Sequence, residues 1–593
     1  MPVRIINDYI LEFSSYKEEI EKIVREAENI IRGDFIFNNV WDMEVCDEIV
    51  SNPMLDWNVL YKGDPEWAYM FVRFDYSYKL IIAYEIKNDF KFIEFGLNFI
   101  EKWFKDNQRF LPHYLGKIAN KLDRGRSMGH RTLDIAIFAC NSADFILYCI
   151  KNSLDNSSRL TRIKRNLIKI CKYVSYYDSE FKLKSNWGIM ENAYSLYVIK
   201  SLNLKIPAID FLNRLQAQLD IQLREDGSHV ESSPMYLVEI ILSLLKYMQI
   251  NNEVTSTSCI YNQVKSACDY IYYLTTPDGC IPNIGDSDKV NVSDLMIIAT
   301  SIFKDTKYIY KCNRDITVEY IYKYKMYPLN VQACINSESF ESHSFCYQSI
   351  IADKNTWLLC NNIPYGPSGH KHYDFLSVLL YINNKEFIID GGRETYRNIK
   401  ERKINKDAVS HASVRIDGEK YWKYRNSWYT ENSVEVGRNT LSKGSNGIQT
   451  VKMECYFGKK ITLTRIVNYI PQLGILFYDK ISGGELAQYE AFFPLSPIVK
   501  ISVLDKGYKL SIDEFDVYYS TNCENTNIYD ISCSHRYNSS YRTKEIVAST
   551  MSSRAYHVFL FKNSEVKVYC DDEKITIVEK FCSNQNTYYI GLQ

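Results

Sequence analysis

No CxxC pair occurs among the 16 cysteines, which are scattered along all 593 residues. That spacing excludes a compact disulfide framework and fits reduced, buried thiols. No uninterrupted apolar run approaches the length of a membrane span. The N-terminal stretch from Met1 to Phe13 lacks an apolar segment of signal-peptide length followed by a small-residue cleavage site, so cytoplasmic placement is the expectation. Net charge is nearly absent too: 71 Lys and Arg against 72 Asp and Glu leave -1. Whole-protein charge therefore gives no reason to invoke nucleic acid or membrane as a partner, and an acidic ligand must be read by a local patch.

What the chain does have is 46% hydrophobic residues and enough length for two or more cores. Aromatic content is 14%, with 48 Tyr, which suits sugar-stacking clefts as well as ordinary cores. Up to about residue 325, apolar positions recur at three- and four-residue spacing, as in Phe95–Trp103, Leu133–Phe138, Ala193–Leu202 and Leu237–Leu245. No fixed-period repeat accompanies these helices, which favours a closed toroid of irregular hairpins over a regular solenoid. After about residue 340 the pattern changes to short alternating or apolar runs, such as Thr356–Cys360, Leu376–Ile382, Ile475–Asp479 and Tyr556–Phe561. The expected architecture is a helical toroid over 1–325, a linker over 326–345 in which Pro328 stops a helix, and an antiparallel β-sandwich over 346–593.

Two polar clusters carry the chemistry. The first, Asp226-Gly-Ser-His-Val-Glu-Ser-Ser-Pro-Met-Tyr236, places Ser232 or Ser233 as a cap before Pro234 and Tyr236 in the first turn of the next helix. Tyr236 would then project toward a loop bearing His229 and Glu231. In Ser185-Asn-Trp-Gly-Ile-Met-Glu-Asn192, Asn186 stands at or near a helix cap, where its amide can bond a substrate carboxyl group. The second cluster is Gly369-His-Lys-His-Tyr-Asp374. On a strand, His370, His372 and Asp374 would share one face, and two histidines with a carboxylate from a neighbouring strand make a zinc site with an open fourth position. Between Asp390 and His411 runs a basic loop with Arg393, Arg397, Lys400, Arg402, Lys403, Lys406 and Tyr396, the best local patch for an anionic polymer.

With these motifs, together with Pro282-Asn-Ile-Gly-Asp-Ser-Asp288, Asp390-Gly-Gly392 and His411-Ala-Ser-Val-Arg-Ile-Asp-Gly418, the chain resembles the heparinase II/III-like polysaccharide lyases over most of its length. The resemblance implies an incomplete α/α toroid followed by an antiparallel β-sandwich, and β-elimination at a uronic acid of a glycosaminoglycan-like poly- or oligosaccharide, leaving a 4,5-unsaturated product. It implies that Tyr236 is base and acid, that His370 is its partner, and that Asn186 neutralises the carboxyl. His372, Asp390 and His411 match the family's structural metal ligands, most often zinc. Trp187 stands where many relatives carry a His, which leaves neutralisation to Asn186 with His370 or Arg131 in support. Arg131, His229, Glu231, Trp187, Arg393 and Tyr396 complete the candidate substrate-binding set.

The chemistry makes demands of its own. A uronate C5 proton is too weakly acidic to remove until donors neutralise the adjacent carboxylate. A tyrosine with an ordinary pKa of about 10 acts as base only in a cationic field or when coupled to a histidine, for which His229, His370 and the basic loop are the candidates. Two other classes compete: a non-haem iron oxygenase built on His372, Asp374 and His411, and a non-catalytic carbohydrate-binding protein of the same fold. The oxygenase needs Asp374 where the lyase needs Asp390.

Overall fold

Apolar residues at helical spacing form helices from Ser14–Arg32 to Val318–Tyr324. The structure, a computed structural model, describes residues 14–593 apart from 108–130, 156, 177–178, 251–257, 327–330, 332–340, 445, 459, 472, 484–486, 571–573, 582–583 and 592–593. The expected linker falls largely outside the described residues.

Five helices position the site: α1 (Glu66–Arg73), α2 (Thr132–Lys151), α3 (Asn186–Ser201), α4 (Ile209–Gln222) and α5 (Pro234–Met248). α2 has mean hydropathy 1.6 over its most apolar window, enough by length and composition to cross a membrane, yet 83% of that window is buried in the protein. A helix apolar on every side belongs in a core. α3 packs on both α2 and α5, and α4 is the return between α3 and α5. The Gln222 side chain at the end of α4 donates to the Leu183 carbonyl at 3.0 Å, close to where α3 begins. The Asn186 N–H, at the first residue of α3, donates to Glu231 just before α5, at 3.2 Å. α3 and α5 therefore start side by side and run the same way.

The helical half also holds a two-stranded hairpin, Asp34–Phe37 paired with Cys46–Ser51, which helical periodicity did not foretell. Phe35 and Phe37 pack it onto Trp67 of α1, at 6.4 and 5.5 Å between ring centroids.

From His343 onward the described elements are mainly antiparallel strands, and among the described residues they form sheets of nine, five, four and three strands and one two-stranded hairpin. Period two explains how the five-stranded sheet joins the halves. Along Thr356–Asn361 and Ser377–Ile382, Trp357, Leu359, Leu379 and Tyr381 face the helical core, while Leu358, Cys360, Val378 and Leu380 face the sheet core. Both strands are buried throughout. The observed order is thus a helical half followed by an antiparallel β-sandwich half. Among the described residues the cysteines are unpaired, and most are buried.

Candidate active site

Tyr236 is held in the first turn of α5 by an exchange of caps. Ser233 occupies the N-cap position with Pro234 next, as the sequence suggested, but its hydroxyl donates to the Asp286 carbonyl at 3.0 Å. The helix is capped from across the chain instead: the Met235 N–H donates to the Ser287 hydroxyl at 3.0 Å. This fastens the segment Pro282–Asp288 beside Tyr236. Gly285 sits there at φ +56°, and a Cβ on it would come within 3.0 Å of the His370 carbonyl oxygen. Two further ties reach the sheet half: the Asp286 N–H donates to that same carbonyl at 3.0 Å, and Gly366 lies so close to Val230 that a Cβ would sit 2.0 Å from its oxygen.

The second cluster is not a strand. Residues 370–376 form a loop of turns between Thr356–Asn361 and Ser377–Ile382. His370 and His372 nevertheless converge, because Asp286 collects both: Nδ1 of His370 lies 3.0 Å from one carboxylate oxygen and Nε2 of His372 lies 2.8 Å from the other. Arg402 adds a bidentate pair to the same carboxylate. Burial would raise Asp286, but Arg402 and the two imidazoles hold it well below the usual carboxylate range. An ionised Asp286 requires His370 to donate through Nδ1, which leaves a lone pair on Nε2. Burial lowers the pKa of His370, and brings that of His372 to about 3, so both imidazoles are held toward neutrality. Asp286 stood in a quoted motif without a role; the signal was its place two residues before Asp288 in a Gly-Asp turn.

Tyr236 and His370 stack face to face, centroids 3.9 Å apart and planes 28° from parallel. They retain 7% and 8% of their surface. The Tyr236 hydroxyl meets the Tyr396 hydroxyl at 2.5 Å, and Arg393 donates to Tyr396, to the Met43 carbonyl and to Asp288. Burial pushes Tyr236 well above the ordinary phenol range, and Arg393 and the bond to Tyr396 oppose it. The basic loop does not form one surface patch. Arg393, Arg402 and Lys406 are buried, Arg397 is half-buried, and Lys400 and Lys403 are exposed. Nor does His229 supply charge: its Nε2 donates to Gln222 at 2.9 Å, its Nδ1 accepts from the Glu231 N–H at 3.3 Å, and burial lowers its pKa to about 3. The cationic field at Tyr236 comes from Arg393.

Asn186, 2% exposed, begins α3, and its amide faces the Met190 sulfur at 3.8 Å. Beside it, burial raises Glu231 to about 8, with the Asn186 N–H opposing, and the second carboxyl oxygen has no hydrogen-bond partner. Arg131 precedes α2, pairs with Asp134 and Glu66, and lays its guanidinium 3.5 Å over the Tyr69 ring and 5.2 Å from the half-buried Trp187. Sequence reasoning missed Trp428. It is 50% exposed, with its ring 5.8 Å from His370 and 4.7 Å from Tyr396. A lone Trp between Ser427 and Tyr429 offered no pattern. A separate cavity of about 320 Å³ in the helical half is lined by Arg73, Tyr194, Glu239 and Lys323, among others, and holds none of the predicted site residues.

For a metal, the donor chemistry and the gathering differ. His411 Nδ1 lies 2.8 Å from Asp390 and its Nε2 lies 2.9 Å from the Asn405 carbonyl oxygen. The His372 ring is 5.3 Å from that of His411, and its Nδ1 is buried without a partner. His372 thus turns Nε2 to an oxygen and leaves Nδ1 without a partner, the outer-shell arrangement zinc histidines use, whereas both nitrogens of His411 already face oxygens. Among the described residues, however, no three His, Cys, Asp or Glu side chains draw together as a metal-holding group. Asp374 is engaged by Lys371 and by Asn361 at 3.2 Å, so Asp390 is the carboxylate hydrogen-bonded to His411.

A stacked Tyr–His pair with buried arginines lies at the seam of a helical half and a β-sandwich, and the comparisons match that order of halves. Residues 11–310 match the heparinase II/III N-terminus and residues 336–562 match the heparinase II/III-like C-terminal region. The chain belongs to the heparinase II/III family. Its fold is similar to that of a heparinase III, with a TM-score of 0.72 at 13% identity over 96% of this chain and 91% of that one. It is also similar to the heparinase III BT4657 gene product, with a TM-score of 0.66 at 15% identity over 96% and 90% of the two chains. A mutant of the heparan sulfate lyase HepC from Pedobacter heparinus gives a TM-score of 0.65 at 15% identity over 97% and 89%. No curated protein sequence matches.

Proposed function

We propose that this protein is a polysaccharide lyase that cleaves uronic-acid-containing, glycosaminoglycan-like chains by β-elimination. The observation that carries the reading is Tyr236 stacked on His370 while its hydroxyl meets Tyr396. In this reading the Asn186 amide and the largely protonated Glu231 bind the uronate carboxyl group and disperse its charge. Arg131, seated between Tyr69 and Trp187, offers a guanidinium to the same acidic chain. His370 Nε2, the nitrogen left with a lone pair, accepts the phenol proton. Tyr396, fixed by Arg393, donates to the phenolate that results. Tyr236 then takes the C5 proton as the C5–H electrons move into the carboxyl group. When those electrons return to form the C4=C5 bond, the C4–O4 bond breaks and the leaving oxygen takes the proton from Tyr236. His370 then returns its proton to Tyr236, so proton and electron counts close without water.

Zinc is part of the proposal as a structural ion. His372, Asp390 and His411 are the residues that would hold it, and it would brace the loop that carries His370.

The test is a panel of glycosaminoglycan, alginate and other uronate oligosaccharides, followed by the ultraviolet absorbance of the new C4=C5 bond, for the wild type and Tyr236→Phe. Absorbance on at least one uronate that is lost in the variant is expected. No absorbance on any uronate, or an undiminished signal in the variant, overturns the reading.

A further inference from the structure

The hairpin Trp422–Asn426 with Tyr429–Asn432 stands apart from the larger sheets, and its turn lifts Trp428 beside the site. Three observations set Trp428 apart from an ordinary surface residue. Its ring is half exposed although it packs on two ring systems of the site, with its plane 31° from that of Tyr396 and 88° from that of His370. Its main chain cannot retreat, because a Cβ on Gly369 would lie 2.4 Å from the Trp428 carbonyl oxygen, and the turn is pinned by the Trp428 and Tyr429 N–H groups, both donating to Asn426 at 2.9 Å. The neighbouring surface is cationic: Tyr424 donates to Asn398 at 2.6 Å, which joins the hairpin to the loop bearing the half-buried Arg397 and the exposed Lys400. Among the described residues neither cation has a carboxylate within ion-pair distance, whereas Lys403 nearby is paired with Glu419 at 2.9 Å.

We propose that this hairpin forms a sugar-binding subsite, in which the exposed face of Trp428 stacks on the pyranose ring adjoining the reacting uronate while Arg397 and Lys400 bind acidic substituents of the chain. The proposal rests on the lyase reading and extends it from proton transfer to substrate grip. An indole face is apolar and wide enough for the C–H face of a pyranose, and it is rigid before binding, so little side-chain entropy is lost. Its contact with His370 puts the stacked sugar next to the unit whose C5 proton is removed. Arg397, which donates to Thr395 and the Lys62 carbonyl but among the described residues has no carboxylate partner, and the exposed Lys400 add attraction that salt weakens.

The experiment compares wild type, Trp428→Ala, Trp428→Phe and Arg397→Ala/Lys400→Ala on the best uronate oligosaccharide from the panel, and titrates the same oligosaccharide calorimetrically into Tyr236→Phe with and without Trp428→Ala. Trp428→Ala is expected to raise KM about tenfold, with the loss in kcat/KM falling on KM, and Trp428→Phe to recover most of it. The double cation variant should flatten the salt dependence of KM. Unchanged KM and unchanged calorimetric affinity in Trp428→Ala would overturn the subsite, as would a loss confined to kcat. These outcomes are separable from failure of the lyase reading, which shows as a wild type inactive on every uronate. A lowered thermal midpoint in Trp428→Ala with unaltered affinity for the oligosaccharide likewise counts against the subsite, since it marks Trp428 as packing alone.

Discussion

The imidazole of His370 lies 3.9 Å from the phenol ring of Tyr236, centre to centre, although 134 positions of sequence (370 minus 236) separate them. The pair spans the junction of the two halves, and each ring is immobilised by a different anchor: Asp286 for the histidine and Tyr396 for the tyrosine. His370→Ala should lower kcat on a uronate substrate by about 100- to 10,000-fold, the range expected for one proton-transfer group. Steady-state rates with a thermal midpoint for each variant check it; a near-normal kcat with a folded variant would remove His370 from the chemistry.

Asp286 satisfies two histidines and an arginine at once, and each of the three depends on its charge. Asp286→Asn leaves Arg402 buried against a neutral amide, so the fold should lose about 3–5 kcal/mol. Urea unfolding measures this directly, and a variant as stable as wild type would show that Arg402 finds another partner.

Glu231 gives a stability prediction with a sign. Its pKa rises from the ordinary 4.5 to about 8 on burial, so between those values the folded chain holds a proton that the unfolded chain releases. Its contribution is complete below pH 4.5 and is lost as pH rises toward 8, a change on the order of 5 kcal/mol at most. Glu231→Gln keeps an acceptor for the Asn186 N–H and cannot ionise. Wild type should therefore lose stability relative to Glu231→Gln as pH climbs from 5 to 8, read from urea midpoints at each pH; parallel profiles would refute the shift.

Metal analysis discriminates between the carboxylates. Asp390→Ala should strip zinc from the purified protein, while Asp374→Ala, whose carboxylate serves Lys371 and Asn361, should retain it. Loss confined to the Asp374 variant would favour the oxygenase arrangement of His372, Asp374 and His411.

The helical and strand halves were legible because their patterns are regular: α5 repeats apolar side chains at helical spacing, and Trp357–Cys360 is apolar without a break. The hairpin at Asp34–Phe37 was not, since four residues are too short for a period to emerge against a helical background. Tyr236, His370 and Asn186 were chosen from sequence, and the first two meet. Arg393 and Arg402 read in sequence as part of a basic patch for an anionic polymer, because a string of cations gives no sign of which members have buried carboxylates waiting. Those partners, Asp288 and Asp286, lie 105 and 116 positions away. Trp428 was invisible for a similar reason: its meaning comes from a neighbour, not from its own segment.

The anchors cross the junction in both directions. Asp286, from the helical half, fixes His370 of the sheet half; Tyr396, from the sheet half, fixes Tyr236 of the helical half. Neither half can be exchanged for a relative's on its own without severing one of those bonds. A chimaera assembled from two such proteins would inherit two sound scaffolds and a mismatched lock between them, so reshuffling this architecture requires the seam residues to travel together as a set.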